Sequence, residues 1–344
     1  MAGNEVNLQN SFLAALRGFP GAANGKVRGV DCMIAVTQKP QKRPGKFRKY
    51  LPLYLMMVPG LLYLIINNYL PLSGLIIAFK DLNFRKGILG SDWIGFRNFE
   101  YLFATADALV ITRNTIAYNA VFIALNNVLG IAVAILLNDM TSKRAKKFYQ
   151  SAILLPYLIS MIIISYLVNG FLSSDLGFLN RTVLPALGIR GPSWYTTPRY
   201  WPFILTFVNA WKNVGYLCVL YLSSILSIDK EYYEAASLEG ASKWQQIRFI
   251  TLPLIKPTVI MMVMIMIGKI FYSDFGLFYH VPMNSGALYS TTNVIDTYVY
   301  RGLMKLGDVG MSSAAGLYQS VVGFVLVLSS NLLIRKISPE NAMF

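Results

Sequence analysis

The sequence predicts an all-α integral membrane protein with six transmembrane helices and both termini in the cytoplasm. Three observations lead to this fold class: an apolar composition, six long apolar runs and an uneven distribution of basic residues. Of the 344 residues, 55% are hydrophobic and only 14% are charged, whereas soluble domains carry roughly 25% charged residues. So much apolar surface does not fit into one water-soluble core, and a lipid bilayer is the expected surrounding.

Each apolar run is long enough to cross a hydrocarbon core of about 30 Å, which takes about 20 helical residues. The stretch NNYLP interrupts the first run, so we expect this span to kink or to leave the membrane before Pro71. Residues 1–50 are predicted to be a basic, largely disordered cytoplasmic tail, and residues 51–344 a transmembrane domain. The six predicted spans are Leu51–Phe79, Asn114–Leu137, Phe148–Leu172, Trp201–Leu226, Pro257–Tyr279 and Met311–Ile334.

The distribution of basic residues predicts the orientation. Nine Lys and Arg residues lie in the tail 1–50, and four lie in the short loop after the second span. The opposite loops are longer, and their basic residues are interleaved with acids. The positive-inside rule then places both termini, and the segment 229–257, in the cytoplasm. The formal charge of +15 is accounted for by topology, so no nucleic-acid partner is expected.

No pattern in the chain indicates its own cofactor chemistry. The two cysteines, Cys32 and Cys218, lack metal-ligand spacing, and His280 is the single histidine. The phosphate-binding pattern G-x-x-x-x-G-K-[ST] is absent from the sequence. We therefore expect no enzyme, no metal site and no cofactor bound by this chain.

A polar segment, EYYEAASLEGASKWQQIRFITLPLIKP (231–257), separates the fourth and fifth apolar runs. Local signals predict a first short helix that begins after the N-cap Asp229 and runs to about Glu239. Gly240 suits the left-handed residue that commonly ends a helix. Ser242 and Gln245 have the spacing of a capping box, which opens a second helix.

We expect the second helix to stop before Pro253, and Pro257 to lie in the first turn of the fifth span. A thin, capped and charged helix pair has a suitable shape for docking into a cleft of another protein. An amphipathic loop that touches only lipid headgroups would have a similar composition. The physical signals alone leave both interpretations open.

The spacing in EAASLEGASKWQQIRFITLP resembles the EAA loop of bacterial ABC importer permeases, of the type I, binding-protein-dependent class. Two positions depart from the usual pattern: Ile247 replaces a common Phe, and Glu239 replaces a common Asp. The resemblance implies that the loop, about residues 229–257, couples the permease to an ATPase. The implied coupling residues are Glu234, Ala235, Ala236, Glu239, Gly240, Ile250, Leu252 and Pro253.

The same resemblance implies the rest of the machinery. Separate ABC ATPase subunits would use ATP and Mg²⁺, and a second, related permease subunit would complete a heterodimer. An extracytoplasmic lipoprotein would bind the solute and deliver it. The protein would be a multi-pass component of the bacterial cytoplasmic membrane, with its substrate site between the two permease subunits near the membrane middle.

Other stretches are similar to carbohydrate-uptake permeases, among them WIGFRNFEYLF (93–103), FYQSAILLPYLIS (148–160) and STTNVIDTYVYRGLM (290–304). Residues 50–83 are similar to the subfamily that imports complex oligosaccharides. The implied function is uptake of a carbohydrate, as an oligosaccharide. The alternatives are an ABC permease for a non-sugar solute and, less favoured, a stand-alone channel or a membrane-embedded enzyme.

Three charged residues fall inside predicted spans: Lys212, Lys269 and Asp274. Each would cost about 2.5–3.5 kcal/mol at a lipid-facing helix centre, so each should face protein or water. Lys212 or Asp274 could bind a sugar hydroxyl, and Lys269 could instead form a structural ion pair with Asp274. Both interpretations stay open at this point.

Polar side chains also form faces on the predicted spans. Thr115, Asn119 and Asn126 share one face of the second span, which either lines a cavity or bonds to neighbouring helices. In the family, the fourth and fifth spans contribute to the substrate cavity. The candidate substrate-pathway residues are therefore Asn119, Asn126, Asn213, Tyr216, Tyr272 and Asp274.

Overall fold

The computed structural model describes residues 46–104 and 106–337, and within them the chain is predominantly helical. It divides after Leu62 into two units. Residues 1–45 of the predicted tail lie outside the described residues, and residues 46–50 open the first helix. The α-helices of at least seven residues are α1 (Lys46–Leu64), α2 (Arg97–Ala104), α3 (Ala106–Asp139), α4 (Lys143–Leu158), α5 (Met161–Leu172), α6 (Trp201–Leu226), α7 (Lys230–Leu238), α8 (Leu252–Ile267), α9 (Ile295–Arg301) and α10 (Val309–Ile337).

Short elements connect or extend these helices. The short α-helices are Leu70–Leu72, Gly87–Gly90, Leu184–Ala186, Lys243–Gln246, Phe275–His280 and Tyr289–Thr292. The π-helical turns are Ile65–Tyr69, Leu179–Val183, Ile247–Thr251 and Gly302–Leu306, and the 3₁₀-helices are Ser73–Phe79, Trp194–Thr196, Pro198–Tyr200 and Gly286–Leu288. Two short antiparallel strands, β1 (Lys80–Asp81) and β2 (Asp92–Trp93), align Lys80 with Trp93.

Five stretches of the described residues are long and apolar enough to cross a membrane: Tyr50–Phe79, Asp107–Asp139, Pro198–Leu226, Lys243–Ile267 and Val309–Lys336. The helices α4 and α5 form a further pair that passes the same test together, with a bend of 97° between them. Counting this pair as one span gives six, and the predicted all-α membrane fold is confirmed. The predicted orientation of the termini stays a prediction.

The third span is not the continuous helix predicted over Phe148–Leu172. Pro156, in the last turn of α4, has no amide hydrogen to donate to that turn. Ile159 then adopts an extended conformation, with φ −77° and ψ 134°. Ser160 caps α5, because its Oγ accepts a hydrogen bond of 3.5 Å from the Ile163 amide. Pro156 and Ser160 therefore specify the bend locally, although the apolar run in the sequence continues across the bend without interruption.

The fifth span begins and ends earlier than predicted. The helix passes through Pro253 and Pro257 and runs on to Ile267, so the expected stop before Pro253 is wrong. The π-helical turn Ile247–Thr251 precedes Pro253, and its wider hydrogen-bond spacing admits a residue without an amide hydrogen. Instead of the helix predicted to reach Tyr279, the backbone forms turns over residues 268–271 and is irregular over residues 272–274.

Close backbone contacts place α6 against α3 and α4. A Cβ atom at Gly130 of α3 would lie 2.9 Å from the Cβ of Leu217. A Cβ atom at Gly215 of α6 would lie only 2.1 Å from the carbonyl oxygen of Ile153 in α4. Glycine thus permits both crossings, and the middle of α6 lies beside the bend between α4 and α5.

Candidate coupling loop and substrate pathway

The segment after α6 folds as the capped helix pair that its local signals predict. Asp229 caps α7, because its carboxylate accepts a hydrogen bond of 3.1 Å from the Glu231 amide. Gly240 has a φ of 80°, a conformation that residues with a Cβ atom rarely adopt. The Ser242 amide donates to Gln245 Oε1 at 2.7 Å, and the Gln245 amide donates to Ser242 Oγ at 3.4 Å. The predicted caps, the glycine conformation and the capping box are confirmed.

Two side-chain hydrogen bonds hold the helix pair together. Gln246 is 5% exposed, and its amide nitrogen donates to Ser237 Oγ on α7 at 2.9 Å. The hydroxyl oxygens of Tyr233 and Thr251 lie 2.9 Å apart. Sequence reasoning missed these contacts, because a glutamine in a polar loop gives no signal that it is buried.

The opposite face of the pair is open. Leu238 is 90% exposed and Trp244 66% exposed, which is unusual for large apolar residues in a charged segment. Their apolar character within a polar loop is a signal that sequence reasoning did not use. Among the predicted coupling residues, Ala236 and Ile250 are half-buried, and the exposed ones are Glu234, Ala235, Glu239, Gly240, Leu252 and Pro253.

The loop is also connected to the end of the second span. Lys243 Nζ lies 3.6 Å from Asp139 Oδ1 at the last residue of α3. A cavity of about 300 Å³, lined in part by Asn138, Tyr233 and Gln246, separates the helix pair from the ends of α3 and α6. A displacement of the loop would therefore reach α3 through an ion pair and α8 through the continuous helix.

At the bend between α4 and α5, Lys212 of α6 supplies the missing hydrogen-bond donors. Its ammonium group donates to the carbonyl oxygens of Pro156 at 3.4 Å and Tyr157 at 3.2 Å, and also to that of Ile159. The Pro156 carbonyl also accepts from the Ile159 amide at 3.2 Å, whereas the carbonyls of Tyr157 and Ile159 have lost helical partners, and lipid offers none. The ammonium charge of Lys212 therefore faces protein, as one of the two predicted possibilities, and it bonds to the backbone at the bend between α4 and α5.

The turns after α8 are held in a similar way. The Asn119 side-chain amide donates to the carbonyl oxygens of Ile270 at 2.8 Å and Tyr272 at 3.2 Å. Gln319 of α10 donates to the carbonyl oxygen of Phe271, and the Ser273 amide donates to Asp296 Oδ2 at 2.7 Å. Burial raises the pKa of the Asp296 carboxyl, and its hydrogen bonds from Ser273 and Gln319 oppose that shift.

Two other candidate pathway residues hydrogen-bond within the bundle. Asn126 is 6% exposed and donates to Asn209 Oδ1 at 2.8 Å, whereas its own Oδ1 is buried without a partner among the described residues. Asn213 donates to the carbonyl oxygen of Asn209 at 3.0 Å. Thr115, on the same helical face as Asn126, accepts a hydrogen bond of 3.1 Å from the Ile295 amide.

The remaining candidates are exposed. Tyr216 is 41% exposed and stacks on Tyr157, with ring centroids 4.9 Å apart. Tyr272 is 45% exposed and lies within 3.3 Å of Ser320 Oγ. Asp274 is exposed and caps the helix Phe275–His280. It makes no ion pair with Lys269 among the described residues, so the structural pair that the sequence left open is absent there.

Comparison with known proteins identifies the family. The profile of the family described as "Binding-protein-dependent transport system inner membrane component" matches residues 126–339. The chain is 32% identical, over 93% of its length and 98% of the relative's, to the polygalacturonan/rhamnogalacturonan transport system permease protein YteP of Bacillus subtilis (strain 168). It is 28% identical, over 85% of its length and 95% of the relative's, to the trehalose/maltose transport system permease protein MalF of Thermococcus litoralis.

A solved structure has the same fold. It is a bacterial ABC transporter involved in the import of the acidic polysaccharide alginate, with a TM-score of 0.78 and 32% sequence identity. The alignment covers 85% of this chain and 98% of the solved one. The chain belongs to the family of binding-protein-dependent transport system inner membrane components, and it is a multi-pass permease subunit of an ABC transporter.

Proposed function

We propose that this chain forms half of a pathway that imports a carbohydrate, in the form of an oligosaccharide. A second, related permease would form the other half, and an extracytoplasmic lipoprotein would deliver the substrate. Separate ATPase subunits would hydrolyse ATP with Mg²⁺, while this chain binds no cofactor and catalyses no covalent step. The cargoes named for its relatives support this proposal, since polygalacturonan, trehalose, maltose and alginate are all carbohydrates.

The observation that carries the proposed coupling is the construction of the helix pair α7 and Lys243–Gln246. Its inner face is fixed by Gln246, and its outer face exposes Glu234, Leu238 and Trp244. An ATPase can shift the permease between two states only if its contact free energy differs between them. A rigid element transmits such a difference, whereas a mobile loop would absorb it.

On the substrate side, the exposed residues Tyr216, Tyr272 and Asp274 are the proposed contacts. The amides of Asn119, Asn126 and Asn213 already donate to acceptors within the protein. In this proposal Asn119 holds the turns after α8 and Asn126 holds the contact between α3 and α6, whereas Asn213 donates within its own helix. Tyrosine rings and a carboxylate suit the mixed C–H and hydroxyl surface of a sugar.

The coupling proposal is tested by E234A and G240P in the assembled transporter. We expect both variants to insert in the membrane, to lose ATPase subunits during purification and to lose ATP-dependent uptake of labelled oligosaccharides. E100A is the control, since Glu100 is also an exposed carboxylate but lies outside the loop, on α2. Full ATP-coupled uptake by both loop variants would refute the coupling role.

The substrate class is tested separately in a deletion strain. We expect uptake of at least one oligosaccharide to be lost and to be restored by the intact gene. Unchanged growth on every glycan, together with lost uptake of a charged non-sugar solute, would refute the carbohydrate assignment and leave the coupling role intact.

A further inference from the structure

The hairpin formed by β1, β2 and the short helix between them (residues 80–93) exposes large apolar side chains outside the membrane spans. Leu89 is 87% exposed, Phe84 79% and Ile88 43%. Lipid accounts for such exposure on the spans themselves, but the hairpin follows the first span, which ends at Phe79. A cluster of exposed apolar side chains outside a span commonly marks a contact surface.

The ends of two spans fix the position of the hairpin base. Lys80, the first residue of β1, directly follows Phe79. Asn98 is 7% exposed, and its side-chain amide donates to the carbonyl oxygens of Ala78 at 3.0 Å and Lys80 at 3.1 Å. A Cβ atom at Gly310, in the first turn of α10, would lie 2.8 Å from Asn98 Nδ2. The base therefore lies at the level where the first span ends and α10 begins.

A buried lysine holds the tip of the hairpin against this base. Lys80 is 7% exposed, and its ammonium group donates to the carbonyl oxygens of Ile88 and Leu89, each at 2.9 Å. Ser91 Oγ donates to the Gly87 carbonyl oxygen at 2.6 Å. Side chains thus satisfy three consecutive carbonyls of the tip, as Lys212 does at the bend between α4 and α5. Water would satisfy such carbonyls unaided, whereas lipid offers no donor, so the arrangement favours a tip outside bulk water.

The other side chains of the hairpin suit a membrane interface. Trp93 is 62% exposed, and its ring stacks on that of Phe79 with the centroids 5.7 Å apart. Tryptophan concentrates at the headgroup level of membranes. Lys86 pairs with Asp92 at 2.8 Å, whereas Arg85 is exposed and makes no ion pair within the described residues. An arginine beside exposed apolar side chains fits a surface where phosphates border hydrocarbon.

We propose that the tip of the hairpin, with Phe84, Ile88 and Leu89, inserts into the headgroup region of the bilayer beside the ends of the first span and of α10. Insertion by about 5–10 Å, the depth typical of interfacial apolar faces, suffices to cover these side chains. A deeper position is unfavourable, because the two-stranded sheet has open edges that hydrocarbon does not satisfy. The attachment of the hairpin to two span ends favours lipid as the occupant over a protein partner.

A fluorophore attached at L89C tests the proposal in the complete transporter, reconstituted in vesicles. The chain carries C32S and retains the buried Cys218, and the other subunits are freed of cysteine. The quenchers are lipids with a nitroxide either near the headgroup or near the end of the acyl chain. We expect the shallow nitroxide to lower the fluorescence about twofold and the deep one to have less effect, in accordance with insertion by ~5–10 Å. F324C, near the middle of α10 and at a residue 64% exposed, should show the reverse order.

L238C is the matched control, because Leu238 is 90% exposed outside the membrane but belongs to the coupling loop at the other end of α3. Neither lipid should quench it. Quenching of L89C by iodide in the water and by neither lipid would place the tip in solution. No quenching by lipid or iodide would assign the tip to a protein partner such as the second permease. Either result, stronger quenching by the deep nitroxide, or equal lipid quenching of L89C and L238C would overturn the proposal.

Discussion

The coupling loop uses polar side chains in the opposite way to the two helix breaks, which are the bend between α4 and α5 and the turns after α8. In the loop, Glu234 and Glu239 are exposed, and the backbone is satisfied by caps within a few residues. At the breaks, Lys212 and Asn119 donate to main-chain carbonyls of other elements. The difference follows from the solvent. Water satisfies the loop and leaves its side chains free for a partner, whereas lipid obliges the protein to satisfy its own backbone.

The largest expected effect is that of K212M, which keeps the length of the side chain and removes its donors. The carbonyls of Tyr157 and Ile159 would lose this donor, while that of Pro156 would keep the Ile159 amide, and we expect a loss of about 3 kcal/mol of stability from unsatisfied polar groups in the membrane. Unfolding of the purified protein by SDS titration measures this loss. K269M is the control, because Lys269 is exposed and its ammonium makes no hydrogen bond or ion pair within the described residues. Equal losses in both variants would show that Lys212 does not hold the bend.

The crossing of α4 and α6 gives the next largest effect. In G215A the new Cβ would lie 2.1 Å from the carbonyl oxygen of Ile153, so the two helices must separate. Overpacking of this kind costs about 1–3 kcal/mol, and it would also lengthen the hydrogen bonds of Lys212. The expected result is a lower thermal midpoint, measured by scanning calorimetry in detergent. G170A is the matched control, since no atom lies within 4 Å of a Cβ built at Gly170; a comparable drop there would contradict the assignment.

These contrasts explain which parts of the structure the sequence predicts. The loop is predictable because its signals act over a few residues: Asp229 caps the next turn, Gly240 takes a positive φ, and Ser242 pairs with Gln245. The partners at the breaks are remote, and the Asn119 amide bonds to Ile270, 151 residues along the chain. A polar face on a predicted membrane helix therefore shows that a partner is needed, without identifying it.

The fifth span shows a second limit of sequence reasoning. Proline is a reliable helix terminator where the preceding turns are regular, and Pro253 was therefore expected to end the second helix of the loop. The π-helical turn Ile247–Thr251 changes the hydrogen-bond register ahead of it. The second helix of the loop and the fifth span are consequently one continuous helix, Lys243–Ile267. This continuity, which no local signal indicates, gives the loop a direct mechanical connection to the membrane.

The inner contact of the loop offers a smaller effect. Q246L removes the donor to Ser237 Oγ at 2.9 Å and to the Ala241 carbonyl oxygen at 3.4 Å, and the loss of these two hydrogen bonds should cost about 1–2 kcal/mol. We expect α7 to move relative to Lys243–Gln246 and hydrogen exchange over α7 to increase in the intact transporter. Q245L is not a suitable control because Gln245 belongs to the capping box, whereas S223A removes one exposed Oγ on α6 that donates to the Val219 carbonyl of the same helix. Unchanged exchange in Q246L would mean that the helix pair is rigid for another reason.

The smallest effect on the stability of the permease is expected at the exposed face of the helix pair. A change there should mainly alter the affinity for the ATPase. Leu238 is 90% exposed, so L238A should change stability by less than about 0.5 kcal/mol. If an ATPase buries this side chain, however, truncation should weaken its binding about tenfold, from the lost apolar contact. Titration of purified ATPase against the permease measures the affinity, and L176A, at a residue 74% exposed outside the loop, should leave it unchanged. Equal affinity in L238A and wild type would show that the ATPase does not dock on the exposed apolar face of the loop. The exposure of the loop side chains, in contrast to the bonded side chains at the helix breaks, would then need another cause.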